Sequence, residues 1–213
     1  MKNIILISAI LLIFCLSAYA QSPYERAMVK NLKQLSQSQS ITDFQSVANT
    51  FERIGQKEKQ EWLPLYYSAL TYIIMGFDAD LDRDQKDQYY KKAEELIAQA
   101  KAITNNSEIT ALQGYAVMGK LAVDPANRGQ TLSPQAFKYF EKAIDQNPEN
   151  PRAIFLMAQL QYGTAQFFGK STEEPCKLAR RSVNLYKSEA KMDTGIAPTW
   201  GHKRAVEMSE KCE

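Results

Sequence analysis

The chain has 213 residues, with 26 Lys and Arg against 24 Asp and Glu and a formal net charge of +2. So even a balance excludes a general nucleic-acid binder, which needs a basic footprint. The length suits one domain with a continuous core.

The first twenty residues read as an export signal. Lys2 supplies the positive start, Ile4 to Leu16 is an almost unbroken apolar run, and Ala18-Tyr19-Ala20 is a small-x-small cleavage site. The run is shorter than the roughly 20 residues a membrane span needs. Phe14 stands before Cys15, where a lipidation site would carry a small residue. The sequence therefore predicts a cleaved signal over 1–20, one domain over 21–213, no stable membrane insertion, and a periplasmic or extracellular protein.

Helix starts are explicit along the rest of the chain. Ser22-Pro23-Tyr24-Glu25 is a capping box with proline at the first helical position, and Ser133-Pro134 and Asn150-Pro151 repeat the cap-then-proline device. Thr42-Asp43, Ser107-Glu108 and Thr172-Glu173-Glu174 place early negative charge where the helix dipole favours it. Apolar periodicity between these marks predicts helices over 23–37, 43–55, 60–75, 84–104, 108–122, 134–147, 151–167, 173–190 and 198–212. Strand-like alternation is almost absent, so the fold class is all-α.

Two segments nearly repeat: Lys101 to Glu108 reads KAITNNSE and Lys142 to Glu149 reads KAIDQNPE. A repeat near 40 residues points to a helical solenoid. Ala136, Phe140, Ala143 and Pro148 carry the small, large, small, proline pattern of the second helix of a tetratricopeptide repeat (TPR). Ala93, Ile97 and Ala100 carry three of its places, and Ala179 and Val183 two. Ala69, Ala116 and Ala158 stand where the first helix would cross most closely, since close approach needs small side chains at the contact. On these residues the chain resembles the TPR family over about 23–190, and the small exported TPR proteins of Gram-negative bacteria within it. The resemblance implies a right-handed solenoid of about four helical hairpins with a C-terminal capping helix. It also implies a concave binding face, onto which Tyr66, Gln113, Arg152, Phe155, Gln159 and Tyr162 would project.

Paired small positions, such as Ala69 with Ala93, lie nearly twice as far apart as the roughly 12 residues of an ordinary repeat. The surplus predicts enlarged loops at 76–84, 123–133 and 167–175, all on one edge. Asp124, Asn127, Arg128, Gly129, Phe168 and Lys170 are the binding candidates there, with Asp78, Asp80 and Asp82 beside them.

Chemistry-bearing constellations are scarce. The alternating Asp78, Asp80, Asp82 and Asp84 fail the calcium-loop pattern, with Arg83 at the glycine position and Tyr89 at the bidentate glutamate position. His202 is the sole histidine. Helices 173–190 and 198–212 should pair antiparallel about a turn near Thr194-Gly195, which sets His202 opposite about Tyr186 and far from Cys176. A cysteine–histidine nucleophile is thereby excluded. The same symmetry brings Cys176 beside Cys212 and predicts a disulfide in an oxidising compartment. Neither a cofactor nor a metal is indicated. The function expected is a non-enzymatic scaffold for a protein or peptide segment of the cell envelope. An exported enzyme and a carbohydrate- or nutrient-capture accessory protein stand as alternatives.

Overall fold

The computed structural model describes residues 22–192 and 194–212, so the expected export signal lies outside the described residues. Nine helices and no strand occur among them: α1 Pro23–Gln37, α2 Ile41–Lys57, α3 Leu63–Gly76, α4 Arg83–Ile103, α5 Ser107–Val123, α6 Pro125–Gln146, α7 Pro151–Phe167, α8 Glu173–Glu189 and α9 His202–Glu210. Each helix packs on the next, and α3 also touches α5, and α5 touches α7. That is a hairpin solenoid, with α3, α5 and α7 as its inner row.

The starts follow local chemistry. Ser22 with Glu25, Ser40 with Asp43 and Asp82 with Gln85 form reciprocal capping boxes, each satisfying two otherwise orphaned N–H groups. The second of these advances α2 by two residues relative to the sequence expectation. Asn150 caps α7 through its side chain, accepting from the amides of Arg152 and Ala153.

One expected loop is absent. Residues 125–133 are helical, because Asp124 accepts from the Asn127 amide and Pro125 follows it, making an earlier start than Ser133-Pro134. Pro134 then lies inside α6, where it removes one ladder bond without ending the helix. The α5–α6 connection shrinks to Asp124, and the edge retains open connections only at 77–82 and 168–172. Three composite loops do not exist on this fold.

The small residues act as the spacing implied. Ala69, Ala93, Ala116, Ala136, Ala158 and Ala179 are completely buried. Glycines extend the device. The Tyr90 ring of α4 lies against both Gly76 of α3 and Gly119 of α5, at positions where a Cβ would collide with it. Phe140 of α6 takes the same kind of seat on Gly114. Large rings thus fill the seams between inner-row helices because the backbone there carries no side chain.

Beyond α8 the chain turns back and crosses the inner row. Gly195 and Gly201 adopt positive φ, 55° and 102°. At Gly201 the Tyr186 hydroxyl occupies the space a Cβ would take, so conformation and packing both require glycine. Cys212, just past α9, is joined to Cys176 at the start of α8.

Candidate functional site

The inner row and the returning C-terminal segment meet in a cluster of rings and charges. Arg152, at the second position of α7, has a side chain only 4 % exposed. Its Nε donates to both oxygens of Glu108 at 2.9 and 2.8 Å, and its terminal nitrogens donate to Glu189 at 2.9 and 2.6 Å. One guanidinium therefore ties α5, α7 and α8 together. Burial alone would lower its pKa, but hydrogen bonds and charge from Glu189 and Glu108 outweigh that and raise it. It stays charged.

Glu108 also accepts the Tyr66 hydroxyl at 3.0 Å, and Tyr66 in turn accepts the indole N–H of Trp200 at 2.8 Å. Trp200 stacks on Tyr115 with centroids 5.6 Å apart and 15° between planes, and Tyr115 stacks on Phe77 at 5.4 Å and 28°. Three rings from α5, the end of α3 and the C-terminal segment thus form one roughly parallel series. Arg204 of α9 lays its guanidinium 5.7 Å from the ring centres of both Tyr115 and Phe155. It donates to the Tyr115 hydroxyl and, at 3.4 Å, to Gln159. Burial raises the pKa of Tyr66 and of Tyr115, with Arg204 partly opposing the shift at Tyr115. Both stay neutral phenols at physiological pH.

These contacts correct the expected concave face. Tyr66, Arg152 and Phe155 are buried rather than open to a partner: Trp200 covers Tyr66, Arg204 covers Phe155, and Arg152 lies among Glu108, Glu189 and the Tyr186 ring. Gln113 turns toward α6 and donates to the Tyr139 hydroxyl at 3.0 Å. Gln159 and Tyr162 remain partly exposed, with Gln159 beside Arg204. A TPR analogy leaves the groove empty; here the chain's own end lies in it. Trp200 and Arg204 do not stand out in the sequence, where 198–212 has the pattern of a capping helix. An isolated tryptophan in a segment rich in turn residues was the available signal.

The edge candidates divide likewise. Asp124 caps α6 and pairs with Arg83 at 2.9 Å, while Asn127 bonds back to Asp124. Arg128 makes a two-pronged pair with Asp87, both contacts at 2.6 Å, and also donates to the Lys120 carbonyl. That bonding, led by the Arg128 hydrogen bond, holds the Asp87 carboxyl below its ordinary pKa. Gly129 is partly buried in the first turns of α6. Asp124 is the cap and the other three are helix residues, and Arg128 is engaged. Phe168 and Lys170 are exposed. Phe168 (64 % exposed) meets Phe167 (75 %) edge-on, with the Lys170 ammonium 6.0 Å from its ring.

His202 stacks on Tyr186 at 5.4 Å, and neither its Nε2 nor the Tyr186 hydroxyl has a partner. Among the described residues no group of three or more His, Cys, Asp or Glu could hold a metal ion, and no helix is long and apolar enough to cross a membrane.

No protein-family model matches the chain, and no curated relative matches it. Among solved structures, the HusA haemophore from Porphyromonas gingivalis superposes with a TM-score of 0.79 at 30% sequence identity. The alignment covers 90% of this chain and 94% of that one. The chain belongs to the HusA haemophore family.

Proposed function

We propose that this protein is an exported, non-enzymatic haem-binding protein, with a TPR-type hairpin solenoid as its frame. The observation that supports this is the similarity to a haemophore over 90% of the chain. The chemistry of the inner face suits such a cargo. A planar macrocycle is held best by parallel aromatic faces and by a cation for its carboxylates. The exposed parts of Phe77 and Trp200, aligned by the buried Tyr115 ring between them, supply the first, and Arg204 the second. His202 is engaged against Tyr186, so the reading relies on stacking and charge. The Cys176–Cys212 bond fits an oxidising compartment outside the cytoplasm.

Titration of the purified protein with haem, followed by absorbance and by tryptophan fluorescence, tests the reading. Saturable binding with a shifted haem spectrum and quenching is expected. A haem spectrum unaltered by stoichiometric protein would refute it.

Docking of a protein or peptide segment of the cell envelope is a second reading. It is favoured by the exposed Phe167–Phe168 pair beside Lys170, since aromatic and cationic side chains are the usual interface anchors. Capture of a partner by the wild type but not by Phe168→Ala supports that reading; equal capture by both removes it.

A further inference from the structure

We propose that Arg204 is the carboxylate anchor of the ligand, holding an acidic side chain of a planar, carboxylate-bearing macrocycle at the open rim of the Phe77–Tyr115–Trp200 series. This rests on the haem-binding reading above and adds to it a named residue and the ligand group it takes.

Arg204 differs from the other cations that bridge helices in the fold. Arg152 has Glu108 and Glu189, Arg128 has Asp87, Lys120 has Glu94 and Lys92 has Glu52. Among the described residues Arg204 has no acidic partner; its contacts are two aromatic rings, one phenol hydroxyl and one amide oxygen. A guanidinium carries five N–H donors in a planar fork. The Tyr115 hydroxyl takes one from Nη1 and Gln159 a long one from Nη2, which leaves donors free on an exposed side chain. The charge is therefore oriented and not neutralised.

The setting is also rigid. The Tyr186–His202 stack holds the start of α9, and the Cys176–Cys212 bond holds its far end. A two-pronged carboxylate–guanidinium contact gains most when its fork is already oriented. Phe77 and Trp200, both partly exposed, flank the same Tyr115 ring that Arg204 rides on, so a flat ligand meeting the series presents its edge groups to Arg204. Lys203 beside it is paired with Glu207 at 3.9 Å, so the unneutralised charge at this rim is that of Arg204.

The experiment compares haem with its dimethyl ester, which keeps the ring and the iron but lacks free carboxylates, in the wild type, Arg204→Gln and Arg204→Lys. The wild type is expected to bind haem about tenfold more tightly than the ester, the effect of one charge-assisted contact. Arg204→Gln should bring haem down to the ester's affinity and leave the ester unchanged, and Arg204→Lys should recover part of the difference. Thermal melting of each variant reports whether the Tyr115 and Phe155 packing survives. Equal weakening of haem and ester by Arg204→Gln, or weakening of neither, overturns the anchor while haem binding stands. Failure of the wild type to bind either form overturns the haem reading and the anchor with it.

Discussion

Trp200 donates its indole N–H to the Tyr66 hydroxyl at 2.8 Å across 134 residues of chain, and this bond fastens the C-terminal segment over the inner row of helices. A surface that repeat geometry alone would leave open is thereby roofed, and the roof carries Arg204.

Arg152 is the main electrostatic tie beneath that roof. Arg152→Ala would strand the Glu108 and Glu189 carboxylates, whose side chains are 17 % and 19 % exposed. We expect a loss of about 3–5 kcal/mol, the range for removing one partner of a buried pair. Urea denaturation with an unchanged m-value checks it, and a loss under 1 kcal/mol would show the carboxylates to be well solvated.

Reduction of the Cys176–Cys212 bond, or its replacement by serines, should destabilise the fold. Closing a loop with a sequence separation of 36 contributes about 4 kcal/mol in the chain-entropy model. Denaturation midpoints with and without reductant measure this. Hydrogen exchange should quicken first in α9, and uniform acceleration would contradict the stapling role.

Gly119→Ala should cost about 1–3 kcal/mol by overpacking, since its methyl would enter the Tyr90 ring. Gly163→Ala makes the control, because nothing lies within 4 Å of the added carbon. Melting temperatures of the pair decide the matter, and equal values would mean the α3–α5 seam is slack.

Alkaline pH should unfold the protein cooperatively. Burial, the largest cause in each case, raises the pKa of Tyr66, Tyr67, Tyr90, Tyr115 and Tyr186 above the ordinary value of 10.0. Above that value the unfolded chain has lost protons that the folded chain retains, so stability is complete below pH 10 and falls as pH rises further. Tyrosinate absorbance should appear together with loss of helix; smooth ionisation of these phenols with the helices intact would contradict their burial.

Arg128→Ala in α6 and Phe168→Ala just past α7 should separate structure from recognition. The first breaks the Asp87 pair, whose partners are 25 % and 33 % exposed, and should cost about 1 kcal/mol or less after allowance for solvent. It also removes the stability that the lowered Asp87 pKa confers near neutral pH, a contribution lost as pH falls through the folded-state pKa. Phe168→Ala removes an exposed ring and should leave melting within about 0.5 kcal/mol. A large drop in its melting temperature would mean that the ring is buried in solution.

Most helices, the Ser22 and Asn150 caps and the disulfide were legible in the sequence because each rests on short-range or symmetric relations. Ser22 with Glu25 is a matter of one helical turn, and Cys176 meets Cys212 because two helices fold about a single turn. Small residues at the crossings were legible too, since close approach leaves no other choice at Ala69 or Ala116. The start of α6 was not, because Asp124-Pro125 and Ser133-Pro134 are equally good local signals and packing chose between them. Only the tertiary structure decided which side of the solenoid the chain covers with its own end. Trp200, Tyr115 and Arg204 meet through contacts spanning 89 and 134 residues, and no local pattern encodes where a segment turned by Gly195 and Gly201 will come to rest. That placement depends on total buried ring area and on a phenol, an indole and a guanidinium each finding a partner.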